Sequence, residues 1–137
     1  MSRTVLLAYQ LLTGVSDTCT GALLIIAPAL TLGLMHVDVP ADSLIYVSCI
    51  GSFVLAVGLC CVYGARLVIR RGPHGQLATV WLLTALIRLS VAVFVAVQIS
   101  TGSLAPRWVS VAGFDGLCFL IQAVGLQRNW AVVDGSR

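Results

Sequence analysis

Four long apolar stretches, separated by short polar ones, dominate the chain. They run from about Val5 to Ala27, from about Leu44 to Ala65, from about Leu77 to Ile99 and from about Trp108 to Leu126. Because roughly 20 apolar residues cross a bilayer as one helix, the pattern predicts four spans, over about 5–27, 44–65, 77–99 and 108–126. Pro28 interrupts the first stretch, and Ala29 to Met35 is predicted as a short, bent continuation lying at the interface. The segment from Val37 to Asp42 carries turn formers and two acids. Arg66, Arg70, Arg71, Gly72, Pro73, His74 and Gly75 form the most polar stretch, a basic turn between the second and third spans. Gly102 breaks the third span. Pro106 sits where a helix start tolerates a missing backbone donor, and Gln127, Arg128 and Asn129 close the fourth span. The start Met1-Ser2-Arg3 followed by apolar residues has the outline of a signal peptide. The apolar run is too long for one, no A-x-A cleavage site follows, and Ser16-Asp17-Thr18 before Cys19 is not a lipoprotein box, so an uncleaved anchor is expected.

Composition sharpens this into a class. Of 137 residues 59% are hydrophobic and 9% charged, with a mean hydropathy of +1.03, whereas a soluble domain is about 25% charged. The expectation is a single all-α domain over residues 1–137, an integral membrane four-helix bundle. No room is left for a separate soluble module. The net charge of +3 comes from dispersed arginines rather than a basic cluster, which argues against a nucleic-acid partner. The five cysteines, Cys19, Cys49, Cys60, Cys61 and Cys118, fall in apolar segments without a C-x-x-C and read as small hydrophobes.

The basic residues are all arginine and set the direction. Four spans put Arg3, Arg66, Arg70, Arg71, Arg128 and Arg137 on one side and Arg107 alone on the other. Arginine-rich short flanks face the cytoplasm, so both termini are predicted inside, in a bacterial inner membrane. Tyr9, Tyr63, Trp81 and Trp130 fall near the inner boundary and Tyr46 and Trp108 near the outer one, as interfacial rings.

Small and charged residues inside the spans carry the remaining information. Gly14 and Gly21 are seven apart in the first span, as are Gly51 and Gly58 in the second, and each pair lines one face that permits close backbone approach. Packing within the chain is the plain reading, a homodimer seam or a partner's groove the other. Asp17, Arg88 and Asp115 are the ionisable groups expected in hydrocarbon, where charge is costly and seeks a partner or a cavity. At 1.5 Å per residue they lie roughly 18, 16 and 16 Å from the inner ends of their spans, which predicts one buried cluster at mid-membrane. Thr84, Val91, Val95 and Gln98 share the Arg88 face, Gln122 lies one heptad from Asp115, and Gln10, Thr13, Gly14, Asp17 and Gly21 form a polar stripe. The cluster either holds helices in register or binds a proton, a quinone-like head group or another small polar ligand. Arg88 is the first candidate, its planar fork being suited to a carboxylate or a carbonyl oxygen.

The two histidines, His36 and His74, fall on opposite sides of the predicted membrane and cannot together hold one haem. No Ser-His-Asp set, H-E-x-x-H, Walker loop or G-x-G-x-x-G occurs. No metal site and no intrinsic cofactor are expected. A catalyst acting alone is therefore the less favoured class.

Leu11-Leu12-Thr13-Gly14, the proline after the first span, the Gly51 and Gly58 helix, Ala85-Leu86-Ile87-Arg88 and Asp115-Gly116 together resemble the DoxX/DoxD-like group of small bacterial four-helix membrane proteins. The resemblance implies an accessory membrane subunit near quinone chemistry, since members of that group are associated with membrane oxidoreductase systems, among them a quinone-linked thiosulfate-oxidising enzyme. Thiosulfate oxidation itself has no support in these residues. The absence of a C-x-x-C argues against a vitamin K epoxide reductase-like protein of similar size. Three functions follow as expectations. The first is a non-catalytic subunit anchored among lipids in a larger respiratory, photosynthetic or other redox complex, with a quinone or lipid at a subunit interface. The second is a quinone-reactive electron-transport component, and the third a small transporter working as a homo-oligomer.

Overall fold

Inward positions spaced by three or four residues organise the long helices. The structure is a computed structural model that describes residues 2–70 and 75–131. In it α1 (Arg3–Ile26) buries Leu6, Gln10, Thr13, Asp17, Gly21 and Leu24. The short α2 (Pro28–Leu34) follows. α3 (Leu44–Arg70) buries Val47, Gly51, Gly58, Cys61, Ala65 and Val68; α4 (Gln76–Ser100) buries Leu77, Trp81, Thr84, Arg88 and Val95; and α5 (Val109–Gln127) buries Cys118, Gln122 and Gly125. This is the spacing of a narrow helical seam.

Local chemistry sets the helix ends. Ser2 caps α1 by accepting from the Val5 amide at 3.3 Å. Pro28 ends α1 because it disfavours helical backbone in the residue before it, and Ala27 sits at φ −141°, ψ 63°, while Pro28 itself opens α2 without losing a bond. The C-terminal carbonyls of α3 receive Arg3, whose Nη2 donates to Ile69 O at 2.8 Å and whose Nε donates to Val68 O at 3.2 Å. A cation there also offsets the negative end of the helix dipole.

The four long helices form two pairs. α1 and α3 run antiparallel with their backbones in close contact, and glycine permits it. A Cβ on Gly14 would stand 2.9 Å from Val62 N, and one on Gly51 2.7 Å from Leu24 Cβ; Gly21 and Gly58 press on the backbones of Leu55 and Thr18. α4 and α5 form the second pair. The backbone of α1 stays more than 8 Å from those of α4 and α5, so side chains span that gap. At the end carrying Arg3, Arg70 and Arg128 the pairs are joined by an apolar core of Leu6, Leu67, Val68, Leu77, Trp81 and Ala131. At the opposite end a smaller core of Leu24, Leu32, Val37 and Val47 packs with Met35 and Trp108.

The described residues are all-α, and among them three helical stretches, Ala41–Arg70, Gln76–Ser100 and Pro106–Gln127, are long and apolar enough to cross a membrane. α1, expected as a span, is long enough at 24 residues but is not among the three. Gln10, Ser16, Asp17 and four threonines lower its apolarity. The second apolar helix runs past the expected boundary at Ala65 to Arg70, carrying Arg66 on its last turns. Arg71, Gly72, Pro73 and His74 of the expected basic turn, and Arg137, lie outside the described residues. Trp81 departs from its expected place as an interfacial ring: it is fully buried, edge-on to Tyr9 with ring centroids 5.6 Å apart. It is held there because Gly125 leaves room for its ring.

The α1–α3 seam makes a sharp prediction. Gly58→Val should lower stability in mixed micelles by about 1–3 kcal/mol, the usual range for overpacking, because its side chain meets the Asp17–Thr18 backbone. Gly33→Ala, where a Cβ meets nothing within 4 Å, should leave the SDS-induced unfolding midpoint unchanged.

Candidate functional site

The seams of α1 and α4 and the start of α5 bring Asp17, Arg88 and Asp115 together. Arg88 Nη1 donates to Asp115 Oδ1 at 2.6 Å, and Nη2 donates to Asp17 Oδ2. The arginine side chain is 3% exposed, against 10% for Asp17 and 16% for Asp115. Phe114 lies over the guanidinium with its ring centre 5.4 Å from Cζ. The charged trio therefore closes the gap between the two helix pairs that the backbones leave open. Removing charge from water is expensive, and it is met here by direct pairing.

A second polar layer lies below the trio, toward the arginine-rich end. Gln122 Nε2 donates to Thr84 Oγ1 at 2.8 Å, and Thr84 donates in turn to Val80 O at 2.8 Å. Tyr9 donates to Cys118 O at 3.4 Å, and Thr13 to Tyr9 O at 2.8 Å. Gln10 is fully buried beside Gly64, and its amide has no hydrogen-bond partner within the protein; the indole nitrogen of Trp81 is likewise unpartnered. The burial of Trp81 escaped the sequence reading, because its depth matched an interfacial belt and depth carries no information about which way a side chain points. Its place on the buried seam, seven residues before Arg88, was the available signal.

Above the trio, α1, α3, α4 and α5 surround a half-open cavity of about 340 Å³. Asp17, Arg88 and Asp115 line it together with Ser16, Thr20, Leu24 and Met35 from α1 and the turn after α2, Ile50, Phe53, Val54 and Val57 from α3, and Ile87, Val91, Ser110, Val111 and Phe114 from α4 and α5. Ile50, Phe53, Ile87 and Phe114 are also on the outer surface, so the cavity borders the apolar flank of the molecule. At its far end Arg107 Nη1 donates to His36 O at 2.5 Å, tying the start of α5 to the turn after α2. The size falls within the range of small-molecule pockets.

The expected residues are thus distributed between two roles. Asp17, Arg88 and Asp115 meet at the cavity floor with Val91 on its wall; Thr84 and Gln122 bond each other outside it; Gly14, Gly21, Gly51 and Gly58 lie in the α1–α3 seam. Gln98 is half-buried near the far end of α4 and does not reach the trio's cavity lining. The fork of Arg88, the first candidate for gripping a ligand, has both terminal nitrogens engaged by the protein's own carboxylates. The cavity offers a ligand the second oxygens of the two carboxylates and the hydroxyls of Ser16, Thr20 and Ser110. The cysteines are all free thiols, Cys61 and Cys118 buried and the other three exposed. Among the described residues no group of three or more His, Cys, Asp or Glu side chains is placed to hold a metal ion.

Comparison with known proteins finds no matching family profile, no matching curated protein and no matching solved structure.

The trio predicts a non-additive mutational response. Arg88→Met leaves two buried carboxylates facing each other and should cost about 3–5 kcal/mol in SDS-induced unfolding, the usual penalty for breaking a buried ion pair from one side. Adding Asp17→Asn and Asp115→Asn to Arg88→Met should recover most of that loss.

Proposed function

We propose that the protein is an integral four-helix bundle of a bacterial inner membrane, with both termini cytoplasmic. In this reading it serves as a non-catalytic subunit that holds a small amphiphilic molecule for a larger membrane assembly. The observation that carries the reading is the cavity of about 340 Å³, apolar on its walls, charged on its floor and bordered by exposed apolar side chains. A molecule entering it from the bilayer would set a polar head against the trio and leave its hydrocarbon among Ile50, Phe53 and Ile87.

The membrane assignment extends to α1 on a physical argument. Its polar stripe turns inward against α3 and the trio, while Leu12, Val15 and Ile26 face outward, so within the bundle it offers lipid an apolar surface. The ends of the helices support the orientation, with Arg3, Arg66, Arg70 and Arg128 gathered at one end and Arg107 at the other. The similarity of Leu11-Leu12-Thr13-Gly14, Ala85-Leu86-Ile87-Arg88 and Asp115-Gly116 to the DoxX/DoxD-like group supports a place beside a redox complex.

Two measurements test this. Native mass spectrometry from the protein's own membrane in mild detergent should find it with partner chains and with a bound small molecule; a bare monomer would overturn the subunit reading. Alkaline phosphatase fused after Pro40 or after Ser103 should be active and a fusion at Arg137 inactive, and the reverse pattern would invert the topology.

A further inference from the structure

The trio has more acceptor capacity and more negative charge than its arginine satisfies. Asp115 Oδ1 and Asp17 Oδ2 take the two terminal nitrogens of Arg88, and the second oxygen of each carboxylate accepts no hydrogen bond from the protein. Neither of those second oxygens is sealed from the cavity: both are absent from the fully enclosed unpaired atoms, which at this site are limited to Arg88 Nε. Asp17 is only 7% exposed overall, and its side chain lines the cavity, so an unpartnered carboxylate oxygen is held there by a nearly buried residue. Each terminal nitrogen of the guanidinium already holds a carboxylate, its unpartnered Nε is fully enclosed, and Phe114 lies over the group.

Two carboxylates against one guanidinium leave one negative charge in excess. An uncompensated charge at the floor of an apolar cavity is costly, and what offsets it is a cation or a proton. No other basic residue lines the cavity. The walls, in turn, are hydrocarbon apart from Ser16, Thr20 and Ser110, with Phe53 adding an aromatic face of the kind that attracts cations.

We infer that the cavity binds a lipophilic cation: an alkylammonium head that donates hydrogen bonds to the free oxygens of Asp17 and Asp115, with its chain leaving between α3 and α4 into the bilayer. This rests on reading the cavity as a ligand site. Anionic amphiphiles are repelled by the same charge, and neutral ones leave its compensation to a proton. The ammonium belongs either to a free amphiphilic amine or to the head group of an aminolipid.

The test uses the full chain in nanodiscs of phosphatidylcholine with radiolabelled dodecylamine as the probe. Val54→Trp, which fills the cavity from the α3 wall and leaves the residues of the trio unchanged, defines the background of probe dissolved in lipid. Wild type should bind one dodecylamine per chain above that background; dodecanol should compete at least tenfold more weakly and dodecanoate not at all. Asp115→Asn, which keeps size and one acceptor but removes the excess charge, should weaken dodecylamine at least tenfold. Saturable binding at which dodecanol or dodecanoate competes equally overturns the cation and leaves the ligand site standing. No saturable binding of dodecylamine, dodecanol or dodecanoate above the Val54→Trp background overturns both. Replacing part of the phosphatidylcholine by phosphatidylethanolamine separates the sources: displacement of dodecylamine identifies the aminolipid, and no displacement the free amine.

Discussion

One guanidinium between two carboxylates holds the two halves of this molecule together in the middle. α1 and α3 adhere through glycine, and α4 and α5 form their own pair, yet α1 keeps its backbone more than 8 Å from the second pair. Apolar packing joins the halves at the two ends, around Trp81 and around Leu32. Between those cores Arg88 reaches both Asp17 and Asp115. The same spacing that makes room for a long charged side chain also leaves the space above it unfilled. Cluster and cavity are thus two results of one separation between helix pairs.

The asymmetry of the cluster matters more than its presence. An arginine in a membrane interior is commonly read as a grip for anions. Here both of its terminal nitrogens hold the protein's own carboxylates, and the oxygens beside them give the cavity floor the opposite character. The distribution of hydrogen bonds within the trio, rather than its composition, decides which molecules the cavity suits.

Much of this architecture was legible in the chain. Charged residues at one depth on three helices must meet, because hydrocarbon offers them no other partner, and Asp17, Arg88 and Asp115 do meet. Glycines seven apart mark a face, and all four lie in the α1–α3 seam. The breaks at Pro28 and Pro106 also stand where the backbone chemistry of proline puts them. What escaped was orientation around the helix axis. Trp81 was placed by depth alone, although its spacing from Arg88 puts it on the buried face. The cavity escaped for a different reason: its lining comes from α1, α3, α4 and α5 together, a property of no single helix. Nor could residue types alone say that the fork of Arg88 would be occupied from within.

The distance along the chain between Asp17 and its cation has a consequence for how the protein is made. An aspartate at the centre of a lone transmembrane helix costs about 2.5–3.5 kcal/mol on insertion scales. α1 is also the long helix that falls short in apolarity. Its partner Arg88 emerges 71 residues later, after α3 has been synthesised. In the proposed four-span arrangement α1 waits during translation, sheltered by the insertion machinery or by α3, until α4 delivers the charge that lets it settle. Membrane integration of the first helix is, in that arrangement, a property of the nearly finished chain.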